Sequence, residues 1–181
     1  VCSSDLDFWA TFFSAADALL PAFAGPILKL GPTGYGLLAA SSGLGALIAA
    51  LGLAWLPTVH HQGRLVIVMI ACYGLFTIGF GLAPNLPLAM LFLALTGASD
   101  MISTVMRQTI RQLATPDAMR GRMTATGMLF HITGPQLGDL EAGAVAKFTG
   151  ERLAVVIGGA MSLLVAGHWT RAKALRDYTH R

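Results

Sequence analysis

The chain has 181 residues, of which 55% are hydrophobic and only 12% are charged, with a net charge of +3 and a mean hydropathy of +0.66. Soluble domains carry about 25% charged residues, so this composition excludes a water-soluble domain and predicts an integral membrane protein in contact with the lipid bilayer. The positive charge does not indicate a nucleic-acid-binding protein, because the basic residues lie at the ends of apolar runs and are not interleaved with exposed aromatic side chains.

Six segments are long and apolar enough for membrane-spanning helices, which need about 20 residues each. The first contains Asp17 and two prolines, and the fourth and fifth also contain charged residues. The predicted helices cover residues 6–28, 34–56, 65–82, 86–113, 123–146 and 153–169. The sequence therefore predicts an all-α membrane protein with a single bundle of six transmembrane helices.

The two ends of the chain differ from this bundle in composition. Residues 1–5, VCSSD, do not resemble the start of a membrane-spanning helix, and we interpret them as a possible cloning or assembly scar. The chain has neither an initiating methionine nor a signal peptide, so we expect it to begin within a longer protein. Residues 170–181 form a basic tail after the last predicted helix.

Basic residues are divided unequally between the two sides of the predicted bundle. The three on one side are Lys29, Lys147 and Arg152. The other side carries nine, namely Arg64, Arg107, Arg111, Arg120, Arg122, Arg171, Lys173, Arg176 and Arg181. Because loops rich in Lys and Arg stay in the cytoplasm, we predict that the second side and both ends of the chain are cytoplasmic.

The fourth predicted helix carries a polar stripe. Thr104, Arg107 and Arg111 fall within about 40° of Asp100 around the helix axis, with Ser103 at the edge. A charge near the bilayer centre costs about 2.5 to 3.5 kcal/mol or more, so the stripe should face other helices or water. Asp100 and Arg107 are about 10 Å apart along the axis, which disfavours a direct ion pair without a bridging group.

Each charged residue of this stripe has two interpretations. We interpret Asp100 as a functional or helix-pairing residue. For Arg107 a functional role competes with snorkelling to the inner interface, and snorkelling is the favoured interpretation of Arg111.

The connection TPDAMRGR follows this helix. Thr115 is predicted to cap the next helix, Pro116 to occupy its first position and Asp117 to lie at its N-terminus. Arg120 and Arg122 then stand at the cytoplasmic face, near anionic lipid or the acidic ends of neighbouring helices. A purely topogenic role for these arginines is the alternative.

The fifth predicted helix combines glycines with two carboxylates. One narrow stripe, within about 40° of Gly138 around the axis, contains Gly127, His131, Gly134 and Ala142. We expect its small residues to pack closely against a neighbouring helix. His131 could change its charge near neutral pH, or it could be a hydrogen-bonded packing residue.

Asp139 and Glu141 lie on opposite flanks of the glycine stripe, so they cannot share one proton as a pair. We predict that Glu141 faces a cavity and that Asp139 is structural. Pro135 frees a backbone carbonyl and should loosen the helix nearby.

Motifs of enzymes and metal sites are absent. The sequence contains no HExxH, GxSxG or P-loop pattern. His60 and His61 have no nearby carboxylate or cysteine, and Cys2 and Cys72 are far apart in the chain. We therefore expect a protein that is not an enzyme and that holds no metal and no cofactor.

Residues 97–143 carry motifs that resemble the C-terminal half of a major facilitator superfamily transporter, closest to the siderophore-exporter branch. These motifs are Gly97-Ala98-Ser99-Asp100, the loop from Thr115 through Gly121 to Arg122, and an LGxxxxG pattern over residues 137–143. The resemblance implies that the six predicted helices are one half of a twelve-helix fold. The family often repeats a Gly-x-x-x-Asp-Arg-x-Gly-Arg motif after its eighth helix, but only Gly63 and Arg64 match here, so no charge-relay gate is expected at that loop.

The resemblance also implies a function. Two six-helix bundles would rock around a central cavity, exporting a small siderophore-like or drug-like molecule as protons enter a bacterial cell across its inner membrane. A carboxylate can couple the two movements if its proton affinity differs between the inward and outward states. The candidate substrate-binding or proton-coupling residues are Asp17, Asp100, Arg107, His131, Asp139 and Glu141.

The implied partners are the substrate, protons and a missing N-terminal half. Two alternatives remain open at this point. One is an uptake transporter of the same fold. The other is a membrane scaffold or assembly subunit that transports nothing and whose polar stripes only hold helices together.

Overall fold

The structure is a computed structural model that describes residues 19–27, 31–55, 62–116 and 119–170. Every regular element in these ranges is helical, as the composition predicted. The elements are a short α1 (Leu20–Ala22) that continues as a π-helical turn (Phe23–Ile27), followed by α2 (Gly31–Trp55), α3 (Gln62–Leu82), α4 (Leu86–Ala114), α5 (Arg120–Thr149) and α6 (Glu151–Trp169).

Four helices of the described part, α2, α3, α4 and α6, are long and apolar enough to cross a membrane. Helix α5 has 30 residues, or about 45 Å at 1.5 Å per residue. It is nevertheless not among the four, because polar residues such as Gln136, Asp139 and Glu141 lower its hydropathy. The first predicted span lies mostly outside the described residues, so the count of six spans stays a prediction.

The long helices pack in the lateral order α2, α4, α3, α6 and α5. The contacts of α2 with α4, of α4 with α3 and of α3 with α6 are extensive, whereas α5 touches α6 over a smaller area. Helices α3 and α4 are joined by a turn in which the Ala83 N–H donates to the Phe80 carbonyl at 3.1 Å. Helices α5 and α6 are separated by Gly150 alone, whose φ of +87° favours glycine.

Glycines allow close helix crossings. A Cβ atom at Gly45 would overlap the backbone of Ala94, and one at Gly97 would overlap the Ser42 carbonyl, so α2 and α4 meet backbone to backbone. Helices α3 and α6 meet in the same way, since a Cβ on Gly74 would lie 2.7 Å from the Gly159 oxygen. Small residues are the usual means by which membrane helices approach this closely.

Two apolar clusters fill opposite ends of the bundle. One surrounds the α3–α4 turn and includes Phe23 and Phe80, whose ring centroids lie 4.5 Å apart. The other joins the start of α3 to the ends of α4 and α6 and includes Val66, Met106 and Ala166. The polar stripe of α4 begins beyond the first cluster and runs alongside the second, whose Met106 and Ile110 lie next to Arg107 and Arg111 in the chain.

The junction between α4 and α5 corrects the predicted capping. The Thr115 hydroxyl donates to the Arg111 carbonyl at 2.6 Å, so it closes the end of α4 and does not cap α5. Thr115 is extended, as expected for a residue before a proline. Helix α5 begins only at Arg120 after Met119, so Pro116 is not its first residue. Asp117 lies outside the described residues.

Candidate functional site

Most buried hydroxyl groups in the bundle are satisfied by their own helix. The side chains of Ser41, Thr77 and Ser99 each donate to the carbonyl four residues earlier, at 2.7–2.9 Å. Such bonds let a polar residue sit in an apolar helix without a partner on another helix. These positions are therefore explained by packing and carry no sign of a ligand.

The polar stripe of α4 forms a short chain of interacting side chains. The Arg107 Nη2 atom donates to the Thr104 hydroxyl at 3.0 Å and lies 3.9 Å from Asp100 Oδ1. The Arg107 side chain is only 4% exposed, whereas that of Asp100 is 51% exposed. The stripe thus holds a buried cation next to a carboxylate that reaches the surface of the chain.

This geometry corrects the predicted separation of Asp100 and Arg107. The axial distance of about 10 Å applies to the Cα atoms, but helical side chains point towards the N-terminus. The long Arg107 side chain therefore extends back along two turns towards Asp100. Thr104, which lies between them on the same face, binds the same arginine nitrogen that approaches the carboxylate.

Ser103 adds a buried polar atom to this region. Its residue is 2% exposed, and its hydroxyl has no hydrogen-bond partner among the described residues. Because Ser103 is one turn before Arg107, its hydroxyl lies on the neighbouring part of the same helix face. The middle of α4 therefore contains a buried hydroxyl one turn from the buried Arg107.

Helix α5 buries the predicted glycine stripe. Among its described side-chain positions, the buried ones are Gly127, Gly134, Gly138 and Ala142. The side chain of His131, which was predicted on the same stripe, lies outside the described part. The carboxylates beside the stripe differ, because Asp139 is exposed and Glu141 is half-buried.

The Arg111 side chain contacts α5, and its snorkelling to the inner interface stays a prediction. It is half-buried, and its guanidinium lies against α5, where a Cβ atom on Gly127 would overlap Nη1 and approach Cζ to 3.0 Å. A cavity of about 410 Å³ opens beside this contact, between the end of α4 and the start of α5. The sequence did not predict this cavity. Its glutamines, Gln108 and Gln112, are exposed on α4 and belong to no motif or helical stripe that could have marked them.

The structure brings some predicted residues together and leaves others apart. Asp100 and Arg107 are joined on α4, whereas Asp139 and Glu141 make no ion pair with any described residue. Gly121 is exposed near the start of α5. Asp17 lies outside the described residues, as do the side chains of Arg120 and Arg122.

Within residues 19–27, 31–55, 62–116 and 119–170, no group of three or more His, Cys, Asp or Glu side chains could hold a metal ion.

Comparison with known proteins gives the chain its family. The sequence profile described as "transmembrane secretion effector", within the major facilitator superfamily, matches residues 7–180. The chain belongs to this family. As a member of this family with four helices of membrane-spanning length among its described residues, it is an integral membrane protein.

Three relatives of the chain are enterobactin exporters. The chain is 31% identical to the enterobactin exporter EntS of Citrobacter koseri over 168 residues, which is 89% of this chain and 40% of that protein. It is 31% identical to EntS of Salmonella choleraesuis over 170 residues, again 89% and 40%, and 32% identical to EntS of Escherichia coli O81 over 164 residues, 86% and 39%. The chain thus spans about two fifths of the length of these relatives. No solved structure matches it.

Proposed function

We propose that this chain is the C-terminal six-helix half of a secondary active transporter that exports a small siderophore-like or drug-like molecule in exchange for protons. The family match over residues 7–180 and the similarity to enterobactin exporters support transport rather than catalysis. The chain matches only about two fifths of the length of these relatives. This supports the proposal that the chain is part of a longer transporter and needs an N-terminal bundle to function. The similarity to bacterial exporters supports an inner-membrane location, and the distribution of basic residues supports cytoplasmic placement of both ends.

The observation that carries the proposal is the pairing of Asp100 with Arg107. A buried arginine in a membrane helix is costly unless a partner neutralises it, and Asp100 lies 3.9 Å from its guanidinium. Because the Asp100 side chain is 51% exposed on this half, it can meet a central cavity or the second half. Membrane-embedded charges in such positions mark proton and substrate pathways.

The pair offers a direct means of coupling. Protonation of Asp100 removes the negative charge beside Arg107, so the charge presented to a bound substrate changes with the proton. By linkage, a proton and a substrate that both interact with this pair change each other's affinity by the same factor. Alternating access then requires that Asp100 bind its proton with different affinity in the inward-facing and outward-facing states.

Glu141 is the second candidate for coupling. It is half-buried beside the packed glycine stripe of α5, a position compatible with a cavity between helices. We assign the exposed Asp139 a structural role. Asp17 and His131 stay candidates from the sequence alone.

The test is to neutralise the carboxylates one at a time in the complete transporter, as Asp100→Asn and Glu141→Gln. Asp139→Asn is the matched control, since it removes the same charge from an exposed position on α5. Substrate-driven proton movement is measured in proteoliposomes, and the amount of folded protein is measured in the membrane. We expect Asp100→Asn to abolish coupling even when flux is normalised to the amount of folded protein, and Asp139→Asn to transport as before.

Three other outcomes would lead to different conclusions about the polar stripe or the direction of transport. Unchanged coupled export in Asp100→Asn would refute the role of this residue. Loss of the folded protein without a specific loss of coupling would favour a structural role for the polar stripe. Proton-driven substrate movement into the cell would instead identify an uptake transporter of the same fold.

A further inference from the structure

The cavity between the end of α4 and the start of α5 has no role in the proposed coupling. Its volume is about 410 Å³, and its polar lining consists of Gln108, Arg111, Gln112, Thr115 and Thr124. We propose that this cavity binds a phosphate group, either that of an anionic lipid headgroup or that of a soluble phosphate-bearing molecule.

The lining favours an anion. Arg111 contributes a positive charge, the two glutamine amides offer N–H donors, and Thr124 offers a hydroxyl. No carboxylate is present among the residues that line the cavity in the described part of the chain. A phosphate has several acceptor oxygens and is bound most strongly by a guanidinium supported by neutral donors. The described lining offers a cation no oppositely charged side chain.

The Arg111 guanidinium lies close to Gly127 at the wall of the cavity. Because Gly127 has no side chain, the Arg111 guanidinium lies directly against the backbone of α5, with no room for a Cβ between them. This contact places the guanidinium at the wall of the cavity. The arginine therefore lies at the boundary between α4 and α5, where it can reach a ligand in the cavity.

The size and position of the cavity suit a headgroup as well as a free anion. A volume of about 410 Å³ is within the usual range for small-ligand pockets, and Met123 and Met128 give part of its lining an apolar character. The cavity lies at the end of the bundle where the sequence places most of its arginines, the predicted cytoplasmic side. Basic sites between helices on that side bind anionic headgroups in other membrane proteins.

The experiment uses the complete protein in nanodiscs, with two probes. In the first arm, phosphatidylglycerol is added to phosphatidylcholine discs, and bound lipid is counted by native mass spectrometry. In the second arm, inorganic phosphate is titrated into pure phosphatidylcholine discs at constant ionic strength, and the gain in thermal stability is recorded. Arg111→Gln is compared with Arg64→Gln, which removes an exposed arginine at the start of α3.

We expect saturable binding of one probe, weakened about tenfold or more by Arg111→Gln and unchanged by Arg64→Gln. Retention of phosphatidylglycerol would identify a lipid site, and stabilisation by inorganic phosphate would identify a soluble ligand. Binding of neither probe, or equal weakening by both arginine variants, would overturn the proposal.

A second variant tests the site if Arg111→Gln fails to accumulate. The double change Gln108→Ala and Gln112→Ala keeps the arginine and alters only exposed side chains of α4. We expect it to weaken binding of the same probe by about tenfold, from the loss of two hydrogen bonds. Unchanged binding in this variant would also overturn the proposal.

Discussion

The Asp100–Arg107 pair should respond asymmetrically to removal of each partner. Asp100→Asn leaves the Arg107 side chain, only 4% exposed, without its nearby negative charge. Arg107→Gln leaves a carboxylate that is already 51% exposed and can be hydrated. We therefore expect Asp100→Asn to be the more destabilising of the two changes, and the double variant to be more stable than Asp100→Asn alone.

The magnitude follows from the geometry. At 3.9 Å, two unit charges attract by about 4 kcal/mol at an effective dielectric constant of about 20. The exposure of Asp100 reduces this value, and fully exposed pairs contribute only about 0.2 to 1 kcal/mol. We expect a coupling free energy of about 1 to 3 kcal/mol between the two positions, within the range of contacting pairs.

The assay is reversible unfolding in mixed detergent micelles of increasing SDS content. It is applied to the two single variants, to the double variant Asp100→Asn with Arg107→Gln, and to Arg64→Gln as a control for loss of an exposed arginine. If the two single effects simply add, within about 0.5 kcal/mol, the ion pair contributes nothing to the fold and our account of Arg107 is wrong.

Three further predictions concern packing. Gly45→Ala should destabilise the chain by about 1 to 3 kcal/mol, because its Cβ would overlap the Ala94 backbone. The control is Gly43→Ala, which should be close to neutral because a Cβ there would have nothing within 4 Å. Equal effects of the two changes in SDS unfolding would refute the close crossing of α2 and α4. Gly74→Ala should act similarly, because its Cβ would lie 2.7 Å from the Gly159 oxygen, and the same measurement applies. Gly127→Ala should displace the Arg111 guanidinium and increase modification of that arginine by phenylglyoxal, and an unchanged modification rate would contradict the contact.

The sequence was a good guide to helices and to their packed faces. Long apolar runs predict helices because the bilayer offers no partner for an unpaired backbone group, and α2, α3, α4 and α6 lie over four of the predicted spans. The buried positions Gly127, Gly134, Gly138 and Ala142 fall on the stripe predicted from helical periodicity. Both features depend on local spacing, which a single sequence contains.

Features that depend on side-chain reach or on contacts between helices were harder to predict. The distance between Asp100 and Arg107 was misjudged because axial spacing ignores the direction of helical side chains. Thr115 was assigned to the wrong helix because its hydroxyl can bond either a following N–H or an earlier carbonyl. The cavity beside Arg111 requires knowledge of how α4 meets α5, which no local pattern contains.

The central claim is that this chain is half of a transporter. It is tested most directly by reconstituting the 181-residue chain and the complete protein in parallel, in proteoliposomes with a pH-sensitive dye inside. The account predicts substrate-dependent proton flux from the complete protein and none from the chain alone. Robust flux from the chain alone would contradict it.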